Sequence, residues 1–148
     1  MIYTKLIYQN YNKKYHFILV KDFQITLPKD VGQFETDFFK VHNFELTLKA
    51  GYSWNIEGLA LFEAENLVLS SLVHNALYQL LKSRSIGMRF RKMSDKIFLK
   101  LAKESRVNFF RRRFIYRFYR IFGKFKLKFT KNPCPLKLEA DKIIETLS

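Results

Sequence analysis

A single cysteine, Cys134, in 148 residues excludes any internal disulfide framework. It stands between Pro133 and Pro135, with no His or Cys at metal-ligand spacing, so neither a metal nor any other cofactor is expected. Nowhere does an apolar run approach the roughly 18 residues needed to span a bilayer. The start, Met1 to Asn12, mixes Lys, Asn and Tyr with short apolar runs and lacks the form of a secretory signal. There is no internal repeat and no low-complexity linker. These absences leave one domain, used in a cytoplasm or in a particle assembled there.

Acidic residues are scarce in one place above all. Between Lys82 and Lys131 stand 18 Lys/Arg and only two acids, Asp95 and Glu104, whereas the rest of the chain is close to neutral. The formal net charge of +14 therefore comes from one segment, which also holds many of the 16 Phe and 8 Tyr. Such an excess goes beyond what solubility requires and points to an anionic partner.

The first sixty residues read as strands. Tyr15–Val20 is a β-rich run, Phe23–Leu27 and Phe44–Leu48 alternate apolar and polar residues, and Pro28–Gly32 supplies turn chemistry. Phe34–Lys40 is ambiguous, and Gly51 and Gly58 bracket a loop with the only Trp. Ala64–Lys82 then places apolar residues at helical spacing without Gly or Pro. Ser94 reads as the N-cap of a second helix to about Glu104, with Phe98, Leu101 and Ala102 inward. A third helix is expected over about Ser105–Phe122, ending near Gly123. Beyond it, Lys124–Thr130 reads as an edge strand or arm, and Leu136–Leu147 as a short terminal helix. The expected fold is α+β: a small N-terminal antiparallel sheet packed on two or three helices. Residues 1–104 would form the core, and 105–148 a basic helix and C-terminal arm.

On the third helix, at about 100° per residue, Arg106, Arg113, Arg117, Arg120 and Lys124 share one stripe. Val107, Phe110, Phe114, Phe118 and Ile121 share another, while Phe109 and Tyr116 lie beside the basic one. Guanidinium forks with aromatic neighbours suit phosphates and unstacked bases. The same helix suits an anionic membrane or an acidic protein groove. It also suits an ordinary surface helix whose Arg stems cover its own core.

A second constellation lies in the middle of the chain. Ser71, His74 and Tyr78 occupy one side of the first helix, and Asp95 follows 21 residues after His74. Antiparallel packing of the two helices would bring Asp95 to His74, the arrangement by which a carboxylate orients a histidine base. A buried histidine satisfied by a nearby acid has the same spacing.

Three short motifs occur in order: Ala50-Gly51-Tyr52, His74-Asn75-Ala76-Leu77-Tyr78, and Ser94-Asp95-Lys96-Ile97-Phe98. With them, about Phe17 to Ala102 resembles a short phage and prophage domain of unknown function, whose members carry an AGF-type turn, an HDALY-type helix and an AD-x-x-F helix. The resemblance implies a phage source and a place in the virion or host cytoplasm, with other virion proteins or DNA as partners. More distantly, the two helical motifs are similar to the histidine helices of secretory and parvoviral phospholipases. That similarity implies His74 as base, Asp95 as its orienter and Tyr78 as support. Asn75 stands where those enzymes hold calcium with a carboxylate, and no Gly-rich calcium loop precedes the helix. The expected function is thus a non-enzymatic virion-associated component of the neck, tail or packaged contents. A degenerate His/Asp hydrolase and an early protein binding host nucleic acid or a host factor are the alternatives.

Overall fold

The computed structural model describes residues 1–11, 13–56 and 65–129. The fold is α+β, with seven strands in two antiparallel sheets and three α-helices among these residues. They fall into two compact units, the first holding Met1–Asn55 and the second the described residues from Ile56 onward.

The first unit has two sheets where one was expected. In the smaller, β1 (Tyr8–Tyr11), β2 (Lys13–Leu19) and β7 (Ser53–Asn55) run in the order β1-β2-β7. In the larger, β3 (Phe23–Thr26), β4 (Phe34–Glu35), β5 (Phe39–His42) and β6 (Glu45–Leu48) run in the order β3-β6-β5-β4. Alternation sets the faces: Phe23 and Ile25 of β3 and Phe39 and Val41 of β5 are buried, with polar residues between them exposed. Phe23 and Phe39 both pair with Leu48, and Ile25 and Val41 with Leu46, so β6 is the spine of this layer.

The ambiguous stretch Phe34–Lys40 proves to be β4, a turn and the start of β5. The bracketed loop holds a strand, since Trp54 of β7 pairs with Phe17. Gly51 turns the chain into it at φ 97°, a conformation that favours glycine. Tyr52 follows fully buried, its ring stacked on Trp54.

The second unit is built from α1 (Val68–Lys82), α2 (Arg91–Glu104) and α3 (Phe109–Phe129). A 3-10 turn, Glu65–Leu67, leads into α1, which starts later than its apolar pattern suggested; Ala64 lies outside the described residues. A second 3-10 turn, Met88–Phe90, feeds α2 three residues before the expected cap. Ser94 is therefore inside the helix, and its hydroxyl donates to the Phe90 carbonyl at 3.0 Å. Leu72, Ala76 and Leu77 of α1 pack in the core with Phe98, Leu101 and Ala102 of α2, all essentially without exposure.

The largest departure is α3. The chain leaves α2 through Arg106, which takes φ 62° while Val107 N–H bonds back to the Ala102 carbonyl at 2.9 Å. This is a left-handed helix ending of the Schellman type. Arg106 thus belongs to the turn and not to a ladder on the helix. Asn108 caps the new helix, its side chain accepting from Phe110 N–H at 2.9 Å. The helix then passes straight through Gly123 and continues over Lys124–Phe129, where a strand or arm was expected. At 1.5 Å per residue its 21 residues span about 31 Å. The expected terminal helix at 136–147 and Cys134 lie outside the described residues.

Gly123 does not stop the helix because its missing side chain has a use. A Cβ there would collide with the Tyr78 hydroxyl and come within 3.1 Å of Arg91 Nη1. Glycine costs about 1 kcal/mol in a helix interior relative to alanine. Here that cost is offset by the close approach of α3 to Tyr78. Gly123→Ala is therefore expected to destabilise the protein by about 1–3 kcal/mol despite the better helix former, as overpacking does. Urea unfolding of the two proteins measures it; a stabilised variant would mean that the contact is slack.

Candidate functional site

The three helices meet at one carboxylate. Asp95 points from α2 into the unit and has no solvent exposure. Its Oδ1 accepts from His74 Nε2 at 2.9 Å and from the Tyr78 hydroxyl at 2.6 Å, both on α1. Its Oδ2 accepts from Arg120 Nη1 of α3 at 2.7 Å. The structure thus joins His74, Asp95 and Tyr78 as their spacing suggested, and adds a cation that the spacing did not place there.

A sheath of rings surrounds the histidine. Tyr119 stacks on His74 at 3.9 Å between centroids, Tyr78 lies at 4.1 Å, and Phe98 meets it edge-on at 5.6 Å. Arg91, at the start of α2, donates to the carbonyls of Tyr119 and Arg120 at 3.1 and 3.2 Å. It ties the backbone of α3 to α2 next to the cluster. Neither Arg91 nor Tyr119 was legible as part of the site. The one sequence signal was Gly123, a residue that breaks the helical pattern unless something packs against it.

Electrostatics follow from burial and pairing. Burial pushes the Asp95 carboxyl up, but hydrogen bonds from His74, Tyr78 and Arg120 outweigh it and hold the group below the ordinary carboxylate range. The Tyr78 hydroxyl is pushed well above its ordinary value by burial, reinforced by its bond to Asp95. Tyr119 is raised likewise, by burial and by the charge of Asp95. Neither phenol is a candidate nucleophile or base near neutral pH.

A hydrogen bond from His74 to Asp95 is the geometry of an oriented histidine base, yet His74 is only 2% exposed and lies against aromatic rings. Arg120 also neutralises the carboxylate that would stabilise an imidazolium. Among the described residues no group of three or more His, Cys, Asp or Glu side chains is arranged to hold a metal ion. The arrangement suits a structural junction better than proton transfer to a substrate.

The sequence-expected partner surface divides. Arg120 points inward to Asp95, and Arg106 belongs to the preceding turn. Arg113, Arg117 and Lys124 remain exposed on α3, with Phe109 half-exposed and Tyr116 partly buried beside them. Of the apolar stripe only Val107 is buried. Phe110, Phe114, Phe118 and Ile121 are exposed, with Phe122 and Phe125, each by 44% to 80%. The inward face is instead Ile115, Tyr119 and Gly123, spaced by four. The sequence pattern showed an apolar stripe but not which way it faces.

Asp95→Ala removes the acceptor of three donors at once and is expected to cost about 3 kcal/mol, since it strands two buried polar groups and a partly buried cation. Arg120, partly exposed, should cost less when replaced by Gln. Because the fold depresses the Asp95 carboxyl, its contribution is present above the unfolded value near 3.9 and is lost as pH falls towards the lower folded value. Urea unfolding from pH 7 to pH 2 should show a steeper acid loss for the wild type than for Asp95→Asn. Parallel curves would mean that the carboxylate is not held charged.

No protein-family model, curated protein or solved structure matches this chain.

Proposed function

We propose that this protein is a non-enzymatic docking component, seated on an acidic neighbouring protein through the exposed face of α3, in a phage particle. The observation that carries the reading is the composition and aspect of that helix. From Phe109 to Phe129 it has eight Lys/Arg and no acid, and it turns six large apolar side chains outward in one stripe. Arg113, Arg117 and Lys124 run along the edge of that stripe.

Magnitudes favour docking over an ordinary surface helix. At 150–250 Å² per ring, the exposed parts of these six side chains amount to roughly 600 Å². That is at the upper end of the apolar patch on a typical monomer. Covering it is worth on the order of 15 kcal/mol at 25 cal/mol per Å², comparable with the cost of associating two proteins. An exposed ion pair adds only about 0–1 kcal/mol. The Phe residues would therefore supply affinity, and the cations would steer and orient the encounter.

The same stripe weighs against duplex DNA as the main partner, because a phosphate backbone with its bases stacked inside offers little to cover it. No helix among the described residues is long and apolar enough to cross a membrane. The phage setting rests on the three motifs, at Ala50–Tyr52, His74–Tyr78 and Ser94–Phe98, and with it a place in the virion or the host cytoplasm.

Phe110→Gln with Ile121→Gln removes two exposed side chains without touching the Asp95 junction. Mass spectrometry of purified particles should find the wild type at fixed stoichiometry and the double variant reduced at least fivefold, with an unchanged melting temperature. Absence of the wild type from particles would overturn the virion reading, and equal incorporation would remove α3 from it. Fatty-acid release from phospholipid vesicles by the wild type, lost in His74→Ala, would restore the hydrolase.

A further inference from the structure

On the other side of Arg113 from the apolar stripe, α2 and α3 form a groove of about 330 Å³ lined by Lys96, Leu99, Lys100, Lys103, Phe109, Arg112 and Arg113. We infer that this groove receives an acidic amphipathic helix, the segment by which the anionic partner of the preceding section is held. The inference rests on that docking reading and assigns its ligand.

The walls are cationic on both sides. Lys96, Lys100 and Lys103 stand at i, i+4 and i+7, so α2 presents them as one row. All three are exposed. On α3, Arg112 and Arg113 hold their guanidinium carbons 5.2 and 5.5 Å from the centre of the Phe109 ring. Arg112 is fixed further by its bond to the Val107 carbonyl at 2.8 Å. No lining residue carries a carboxylate. Five cations around one groove repel each other, and an anionic occupant relieves that repulsion.

The floor decides between polyanions. Leu99 and half-exposed Phe109 give an apolar strip between the two rows. A third helix laid over two antiparallel ones puts an apolar residue every three or four positions onto such a strip. Carboxylates on both flanks of that helix then meet the Lys row on one side and the Arg pair on the other. A nucleic-acid strand would need a free aromatic face for its bases, and the guanidinium groups of Arg112 and Arg113 already lie over Phe109. An acidic helix uses those same guanidinium groups as paired donors.

The test uses the full chain and a fluorescent 18-residue peptide with Leu at helical spacing and Glu on both flanks. Anisotropy should show saturable binding at least tenfold tighter than that of a scrambled peptide of the same composition. Lys100→Glu with Arg113→Glu, both at exposed positions, should weaken it at least tenfold. A peptide with its Glu residues changed to Lys should then bind this double variant better than the wild type. Equal binding of the scrambled peptide, no effect of the charge reversal, or binding of a dT20 oligonucleotide alone would overturn the inference. The failures are separable. Peptide binding lost while particle incorporation still depends on Phe110 and Ile121 sinks only the groove. Peptide binding kept while the protein is absent from particles sinks the virion reading.

Discussion

Everything in the helical unit is registered to one buried carboxylate. Asp95 takes donors from α1 and α3 while standing on α2, so no helix can rotate or slide without breaking a bond to it. Taking a carboxylate and a guanidinium out of water costs several kcal/mol per ion, recovered only when the geometry satisfies the pair. Here three donors do so, with Arg120 only partly removed from solvent. The ring stack on His74 and the closeness of Gly123 to Tyr78 depend on the same alignment. One rotation of α3 places Arg120, Tyr119 and Gly123 correctly together.

That rotation decides the surface. With Ile115, Tyr119 and Gly123 inward, the residues at 110, 114, 118, 121, 122 and 125 are left exposed. A helix free to choose by hydrophobic burial alone would turn its Phe stripe to the core. The polar junction holds the opposite orientation. The histidine cluster and the aromatic face are thus one device: the first sets the angle at which the second is shown.

How much of this was legible follows from what a period can encode. The strands at Phe23–Leu27 and Phe44–Leu48 were readable from alternation at period two, which on β3 also fixes the buried face. Phe34–Lys40, split between β4, a turn and the start of β5, has no period long enough to read. The helix α1 was readable as a long apolar run without Gly or Pro, buried on most of its sides, and α2 from the apolar face of Phe98, Leu101 and Ala102. The pairing of His74 with Asp95 was readable from their helical spacing on the condition that the two helices pack antiparallel. On α3 the period fixes no buried face, because the helix has three faces. Its apolar stripe is wider than its buried one, and the buried face contains a tyrosine, a glycine and the edge of the Arg row. Arg120 looked like the other arginines because charge says nothing about partner, and its partner Asp95 stands 25 positions earlier on another helix. Gly123 read as a stop because its use depends on Tyr78, 45 positions earlier. Arg106 read as helical because a Schellman ending is usually announced by glycine, and here an arginine takes the left-handed position.

The same separation of faces bears on specificity. The apolar stripe asks of a partner only apolar area, so it can bind many apolar surfaces. The groove between α2 and α3 is narrower in its demands, since it needs carboxylates on two flanks of one apolar line. Arg113 belongs to both, lining the groove and standing on the cationic edge of the stripe. A partner that satisfies the stripe alone leaves five cations crowded together, and one that satisfies the groove alone leaves roughly 600 Å² of Phe and Ile in water. Only a surface with both features gains from each, and discrimination of that kind requires no contact with the sealed histidine.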